Sequence, residues 1–281
     1  MEEPGIRRRP VPGRPQLFGP GARRASVLLA AVLFACSPGG PETTDSAPDE
    51  TREISESSVR NFLAANKKLY SQFNEELLIR HFFEDKRDGV FLDVGCAYPI
   101  RISTTYYLEK HLGWSGIAID ALERYRKAWE TTRSQSTFLA YAVTDKSGET
   151  ITFYVAGQPS VSSLSEEQAE KWGGPESVPV EVPTITLTDV LEEQNIDRID
   201  FLSLDIEGAE PAALAGFDIE RFKPELVCIE AHTNDGANEE EILAYFAEHG
   251  YARIEAYLPY DLANWYFTPR TDPENGQAPG P

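Results

Sequence analysis

The chain has 281 residues, a net charge of −20 and 41% apolar residues, enough to build one well-buried domain with appendages. The first 35 residues carry six arginines, and beyond them 20 basic residues face 44 acidic ones, a balance that repels nucleic acid and anionic lipid headgroups. Three cysteines are too few for a disulfide framework.

Arginines 7, 8, 9, 14, 23 and 24 stand among prolines and glycines, and residues 26–35 then form an uncharged apolar run. Ten residues cannot cross a bilayer as a helix, which needs about 20. Behind a basic segment they read as the core of a signal peptide. The run ends Leu33-Phe34-Ala35-Cys36, which resembles the lipobox of bacterial lipoproteins and marks Cys36 for lipidation. Residues 1–36 are therefore expected to be an export signal. Residues 37–58, rich in Pro, Gly, Ser, Thr and acids, are expected to form a disordered tether, and 271–281 a disordered tail. The protein would then be anchored by lipid on the exported side of a membrane. The competing reading is a cytoplasmic protein with a wrongly extended start, against which stands Met1 as the only methionine.

The folded part is expected over residues 59–270. Apolar residues at helical spacing between Val59 and Phe83 predict one or two helices. A first strand follows at Val90–Val94, a helix at 103–111 with Ser103 as N-cap, a second strand at 117–119 and a helix at 122–133. A third strand is placed at 137–143, with 150–155 as its hairpin partner. Residues 160–178 read as a loop with a short helix over the site, and 188–194 as a helix. A fourth strand, 199–204, ends at Asp205, and a fifth, 225–229, ends at Glu230. A helix at 239–249 and two closing strands, 252–258 and 265–267, complete the chain. Alternating strands and helices predict a doubly wound α/β sheet, and the last two strands an antiparallel C-terminal edge hairpin.

The first two strands are continuous apolar runs, each bringing an acid, Asp93 and Asp120, to the end of the sheet where ligands bind. After Gly95 the chain reads Cys96-Ala97-Tyr98-Pro99, without the further glycines that let a pyrophosphate approach the backbone. That disfavours a nicotinamide oxidoreductase and favours a cofactor without phosphates, such as S-adenosylmethionine. Cys96 and Cys228 fall in or beside buried strands and read as packing residues. Strands four and five finish in Asp205-Ile206-Glu207 and Glu230-Ala231-His232, three carboxylates and an imidazole at the same edge. Such a set serves as a general base or substrate clamp, or as a hard-metal site. The alternative is that Glu207 and Glu210 cap a helix N-terminus, where negative charge is favoured.

The run from Ile199 to Glu210, with Asp205-Ile206-Glu207-Gly208-Ala209-Glu210 at its centre, resembles the FkbM methyltransferases. Ala213-Leu214-Ala215-Gly216-Phe217, Gly113-Trp114-Ser115-Gly116, Ser162-Ser163-Leu164 and Asn264-Trp265-Tyr266-Phe267 extend the resemblance over about residues 71–270. It implies a Rossmann-like class I methyltransferase that uses S-adenosylmethionine to methylate a hydroxyl of a sugar, glycan or small metabolite. Carried onto this chain, Asp93, Gly95, Cys96 and Ala97 would form the turn under the methionine end. Asp120 and Ala121 would hold the ribose, and Ala142 and Val143 would border the adenine. Asp205 and Glu207, with Glu230 and His232, would serve the transfer, and no metal is implied. The first loop departs from the family, whose members commonly carry Asn or Asp-Gly there. Because S-adenosylmethionine is not expected outside the cell, the alternative function is an anchored, non-catalytic binding module that keeps the methyltransferase fold.

Overall fold

The computed structural model describes residues 54–174, 176–231 and 236–270. The signal run, Cys36, most of the tether, His232 and the tail lie outside the described residues. Among the described residues, no helix is long and apolar enough to cross a membrane.

Helix α1 (Glu56–Ala65) starts at Glu56 rather than Val59, because the Ser55 side chain accepts from Ser58 N and caps it. Helix α2 (Glu75–Phe83) leads into β1 (Val90–Val94), followed by α3 (Tyr106–Leu112), β2 (Ser115–Asp120), α4 (Arg126–Thr132) and β3 (Ser136–Ala140). Thr105, not Ser103, stands at the cap of α3, although the Ser103 hydroxyl still accepts from Tyr106 N. Next come β4 (Ala142–Val143), β5 (Thr150–Val155), α5 (Glu166–Gly173), β6 (Val178–Ile185), α6 (Leu187–Glu193), β7 (Phe201–Leu204), α7 (Glu210–Ala215) and α8 (Ile219–Phe222). The chain closes with β8 (Leu226–Glu230), α9 (Gly236–Glu248), β9 (Tyr251–Arg253) and β10 (Asn264–Pro269).

Seven strands form the main sheet in the order β3-β2-β1-β7-β8-β10-β9. Five run parallel, and β10 is antiparallel to both neighbours, which gives the expected C-terminal hairpin at the sheet edge. Alternation along the strands sends Leu92, Val94, Leu202 and Leu204 into one core with α6 to α9. Phe91, Phe201 and Cys228 point into the other core, against α1 to α3. Both faces are thus covered, which is why the central strands read as unbroken apolar runs.

The third expected strand is corrected. It breaks after Ala140, where Tyr141 N donates to Asp120 O, and the short β4 leaves the main sheet. The segment 150–155 does not pair with 137–143. It pairs antiparallel with β6, and β4 joins the far side of β6, making a separate three-stranded sheet. β6 was hidden by Pro179 and Pro183. Thr184 N donates to Glu149 O, so by alternation the proline nitrogens turn away from β5, toward a side that β4 covers only at Thr184 and Ile185.

Candidate functional site

Parallel strands end side by side, so the loops after β2, β1 and β7 meet at one edge of the sheet. They enclose a cleft with an empty volume of ≈ 530 Å³, including its solvent-open mouth. Gly95, Asp120 and Asp205 all line it. Since β1 lies between β2 and β7, two strand spacings, about 10 Å, separate the strands that deliver Asp120 and Asp205.

Gly95 turns the chain at φ 83°, and its N–H and that of Cys96 both donate to Ile119 O, at 2.9 and 3.1 Å. A Cβ here would stand 1.6 Å from Asp205 O, so the floor of the cleft requires glycine. Asp120 accepts from Leu122 N at 2.8 Å and Ala97 N at 3.0 Å, one bond on each oxygen. Each oxygen keeps a lone pair, so the carboxylate can also accept a ribose hydroxyl. Burial lifts this carboxyl to about 6, against the pull of those two backbone donors. Ala121, Ala142 and Val143 line the cleft, and Tyr141, Phe153 and Leu164 add apolar surface.

Asp93, Cys96 and Ala97 are not among the residues lining the cleft. Asp93 shares the strand face of Phe91 and so points under α3, where Thr105 donates to it at 2.6 Å. Burial raises its pKa despite that bond and the nearby Arg133 charge. Cys96 is a buried free thiol whose pKa burial pushes well up, consistent with a packing role. Ala97 takes φ 39°, a conformation Gly or Asn adopts more readily. Its N–H on Asp120 and its carbonyl, which accepts from Trp129 Nε1 at 2.9 Å, hold it there. This loop supports the site from behind.

At the other end Asp205 and Glu207 face the cleft. Glu207 has φ 55°, an unfavourable angle for a residue with a Cβ. Desolvation lifts its carboxyl to about 8, with help from the charges of Asp205 and Glu210. Glu230 does not line the cleft, but its carboxyl and that of Asp205 are close enough to shift one another's protonation. Burial, and then the charges of Asp205, Glu207 and Glu210, drive Glu230 upward, so the pair retains a proton. Glu210 instead braces the loop that precedes α7. Fully buried at the start of α7, it accepts from Ile206 N at 2.8 Å and Gly208 N at 3.3 Å. Sequence reasoning missed Glu75, buried at the start of α2 and lifted to about 7 by desolvation and then by the charges of Asp261 and Asp205. It also missed Asp261, which accepts from Asn264 and from the Tyr266 hydroxyl at 2.7 Å. Both lie far from the Asp205 motif in the chain, and no local pattern marks them. Among the described residues, no group of three or more His, Cys, Asp or Glu is placed to hold a metal ion.

The cleft suits S-adenosylmethionine: a glycine floor, an acid between backbone donors, apolar walls for a flat base, and two carboxylates at the other end. The family described as "Methyltransferase FkbM domain" matches residues 93–252. No curated protein matches the sequence. Among solved structures, the chain is similar to a TehB-like SAM-dependent methyltransferase from Corynebacterium glutamicum, at 18% identity and TM-score 0.38, covering 75% of this chain and 94% of that one. It is also similar to a precorrin-6y C5,15-methyltransferase from Geobacter metallireducens, at 12% identity and TM-score 0.40, covering 72% and 89%. A third is an O-methyltransferase from Bacillus cereus in complex with SAH, at 11% identity and TM-score 0.39, covering 75% and 89%.

Proposed function

Because the chain belongs to the FkbM methyltransferase family, whose cofactor is S-adenosylmethionine, we propose that it methylates a hydroxyl of a sugar, glycan or small metabolite. The observation that carries this reading is one cleft with Asp120 at its cofactor end and Asp205 and Glu207 at the other. Asp120 would hold the ribose, and the apolar wall of Ala142, Val143 and Phe153 would take the adenine. The bound cofactor supplies an activated methyl group.

The chain's own work is to align the acceptor and remove its proton. Holding an oxygen in line with the methyl carbon supplies most of the acceleration in a displacement of this kind. As the acceptor oxygen took the methyl group its hydroxyl would become acidic, and a carboxylate of this chain would take the proton. Glu207, lifted to about 8, is the stronger base of the two that face the cleft, and a base with a pKa near the working pH transfers protons best. Asp205, tied to Glu230, would orient the acceptor hydroxyl. S-adenosylhomocysteine and the methyl ether are the products.

The test is a methylation assay over a panel of neutral sugars and hydroxylated metabolites, followed by Asp205→Asn and Glu207→Gln on the best acceptor. Each variant is expected to lower turnover at least about tenfold, with affinity for the product S-adenosylhomocysteine little changed. Wild-type rates in both variants would remove the roles given to these carboxylates. A rate restored only by added divalent cation would point to a metal site instead.

A further inference from the structure

Between β5 and β6 the chain lays a strap, residues 157–174, along the cleft. Pro159, Ser160, Ser162 and Leu164 line the cavity from this strap. Ser163, between two of them, is 2% exposed and is not among the lining residues. Its backbone pairs with Tyr154 in both directions, Tyr154 N to Ser163 O at 2.9 Å and Ser163 N to Tyr154 O at 3.2 Å, which fixes it to β5. Its hydroxyl donates to Glu207 O at 3.0 Å and accepts from Ser165 N at 3.2 Å.

The residue it holds is the strained one. Glu207 at φ 55° and Gly208 at φ 97° form a left-handed turn that swings the Glu207 side chain into the cleft. For a residue with a Cβ this conformation costs about 1–2 kcal/mol and persists only where surrounding contacts impose it. Three side chains from three elements do so: Glu210 through Ile206 N and Gly208 N, Asn238 of α9 through Gly208 O at 3.1 Å, and Ser163 through Glu207 O. Only Ser163 reaches Glu207 itself, and it alone of the three belongs to the segment that forms the cleft wall.

We infer that Ser163 is a positioning residue, whose hydroxyl holds Glu207 in its left-handed turn and so aims the carboxylate along the wall that contacts the cofactor. This rests on the reading that Glu207 faces the transferred methyl group. The charge on Glu207 then bears on the sulfonium, and the preference for S-adenosylmethionine over S-adenosylhomocysteine, whose sulfur is uncharged, reports the aim without any acceptor. The charged groups facing Glu207 are Asp205 from the end of β7, Glu210 from α7 and Glu230 from β8, all present in every variant compared.

The experiment measures both affinities by calorimetry between pH 6 and pH 9 on the full chain, with melting temperature as the check on folding. In the wild type, the preference for the cation is expected to rise as Glu207 ionises, and Glu207→Gln to remove that rise. Ser163→Ala is expected to reduce the preference at high pH about fivefold, the worth of one ordinary hydrogen bond, and to have no further effect in the Glu207→Gln background. Ser163→Thr, which keeps the hydroxyl, is expected to retain the preference. If Glu207→Gln abolishes the rise while Ser163→Ala keeps it, the role of Ser163 is overturned and that of Glu207 stands. The role of Ser163 is overturned equally if Ser163→Ala lowers the preference to the same extent with and without Glu207. If Glu207→Gln leaves the rise intact, the placement of Glu207 falls, and this inference with it.

Discussion

Asp120, held between Leu122 N and Ala97 N at the cleft edge, is the side chain to which we assign the ribose. Replacing it with Ala removes charge-assisted hydrogen bonds to a ribose, and is expected to weaken S-adenosylmethionine binding by about 1.5–3 kcal/mol in calorimetry. Affinity equal to wild type would mean the ribose lies elsewhere. That Asp120 reaches the cleft was legible in the sequence, since an apolar strand ending in a single acid delivers it to the ligand edge of a parallel sheet. Asp93 carries the same signature but does not line the cleft. One position along a strand reverses the direction of a side chain, and Asp93 lies on the face covered by α3, bonded to Thr105. The division of labour in the Asp205 motif was likewise open. A glutamate that braces the loop and one that faces the cleft look alike until the turn at Glu207 shows that Glu210 folds back on the loop.

At the scale of elements, α3, α4, β1 and β3 are joined by one buried polar network. The Arg133 side chain is 0% exposed; it donates to Glu109 at 2.6 Å, to Pro99 O at 3.1 Å and to Thr105 at 3.1 Å, and Thr105 in turn holds Asp93. Glu109 also accepts from Gln135 N and Ser136. Removing one member of a buried ion pair strands the other charge, so Arg133→Ala is expected to cost about 3–5 kcal/mol in urea unfolding. Arg133→Ala together with Glu109→Ala is expected to cost less than the sum of the single changes. A cost below about 1 kcal/mol for Arg133→Ala would show the network adds little. Elements with strong local periodicity were placed from sequence to within a few residues. The error came in 137–185, where an unbroken apolar reading hid the break at Tyr141, and Pro179 and Pro183 concealed β6. Strand pairing there depends on which edge each strand meets, and no local pattern encodes that.

For the whole molecule, the acids around the cleft govern stability against pH. Asp120 stands at about 6, Glu75 and Glu210 at about 7 and Glu207 at about 8, all raised, chiefly by burial. A raised carboxyl binds its proton more tightly in the folded state, so its contribution is complete below about pH 4 and is lost as pH climbs through 6 to 8. The melting temperature of the cofactor-free protein is therefore expected to fall from about pH 5 to pH 9, and a steady rise over that range would contradict these shifts. A second prediction concerns the anchor proposed at Cys36. Wild-type protein is expected to sediment with membranes and Cys36→Ser to be released or left unprocessed, whereas soluble wild type still carrying residues 1–35 would refute lipidation. By itself the sequence determined the doubly wound class, the order of the parallel strands' acids and the family, because buried strands and the Asp-x-Glu-Gly-Ala-Glu run are written locally. The tertiary structure alone decided which acids face the cleft, that Asp205 is tied to Glu230 while Glu75 and Asp261 sit behind, and that a strap brings Ser163 onto Glu207. Those relations join residues up to 186 positions apart, from Glu75 to Asp261, and are set by strand parity, turn handedness and packing across layers.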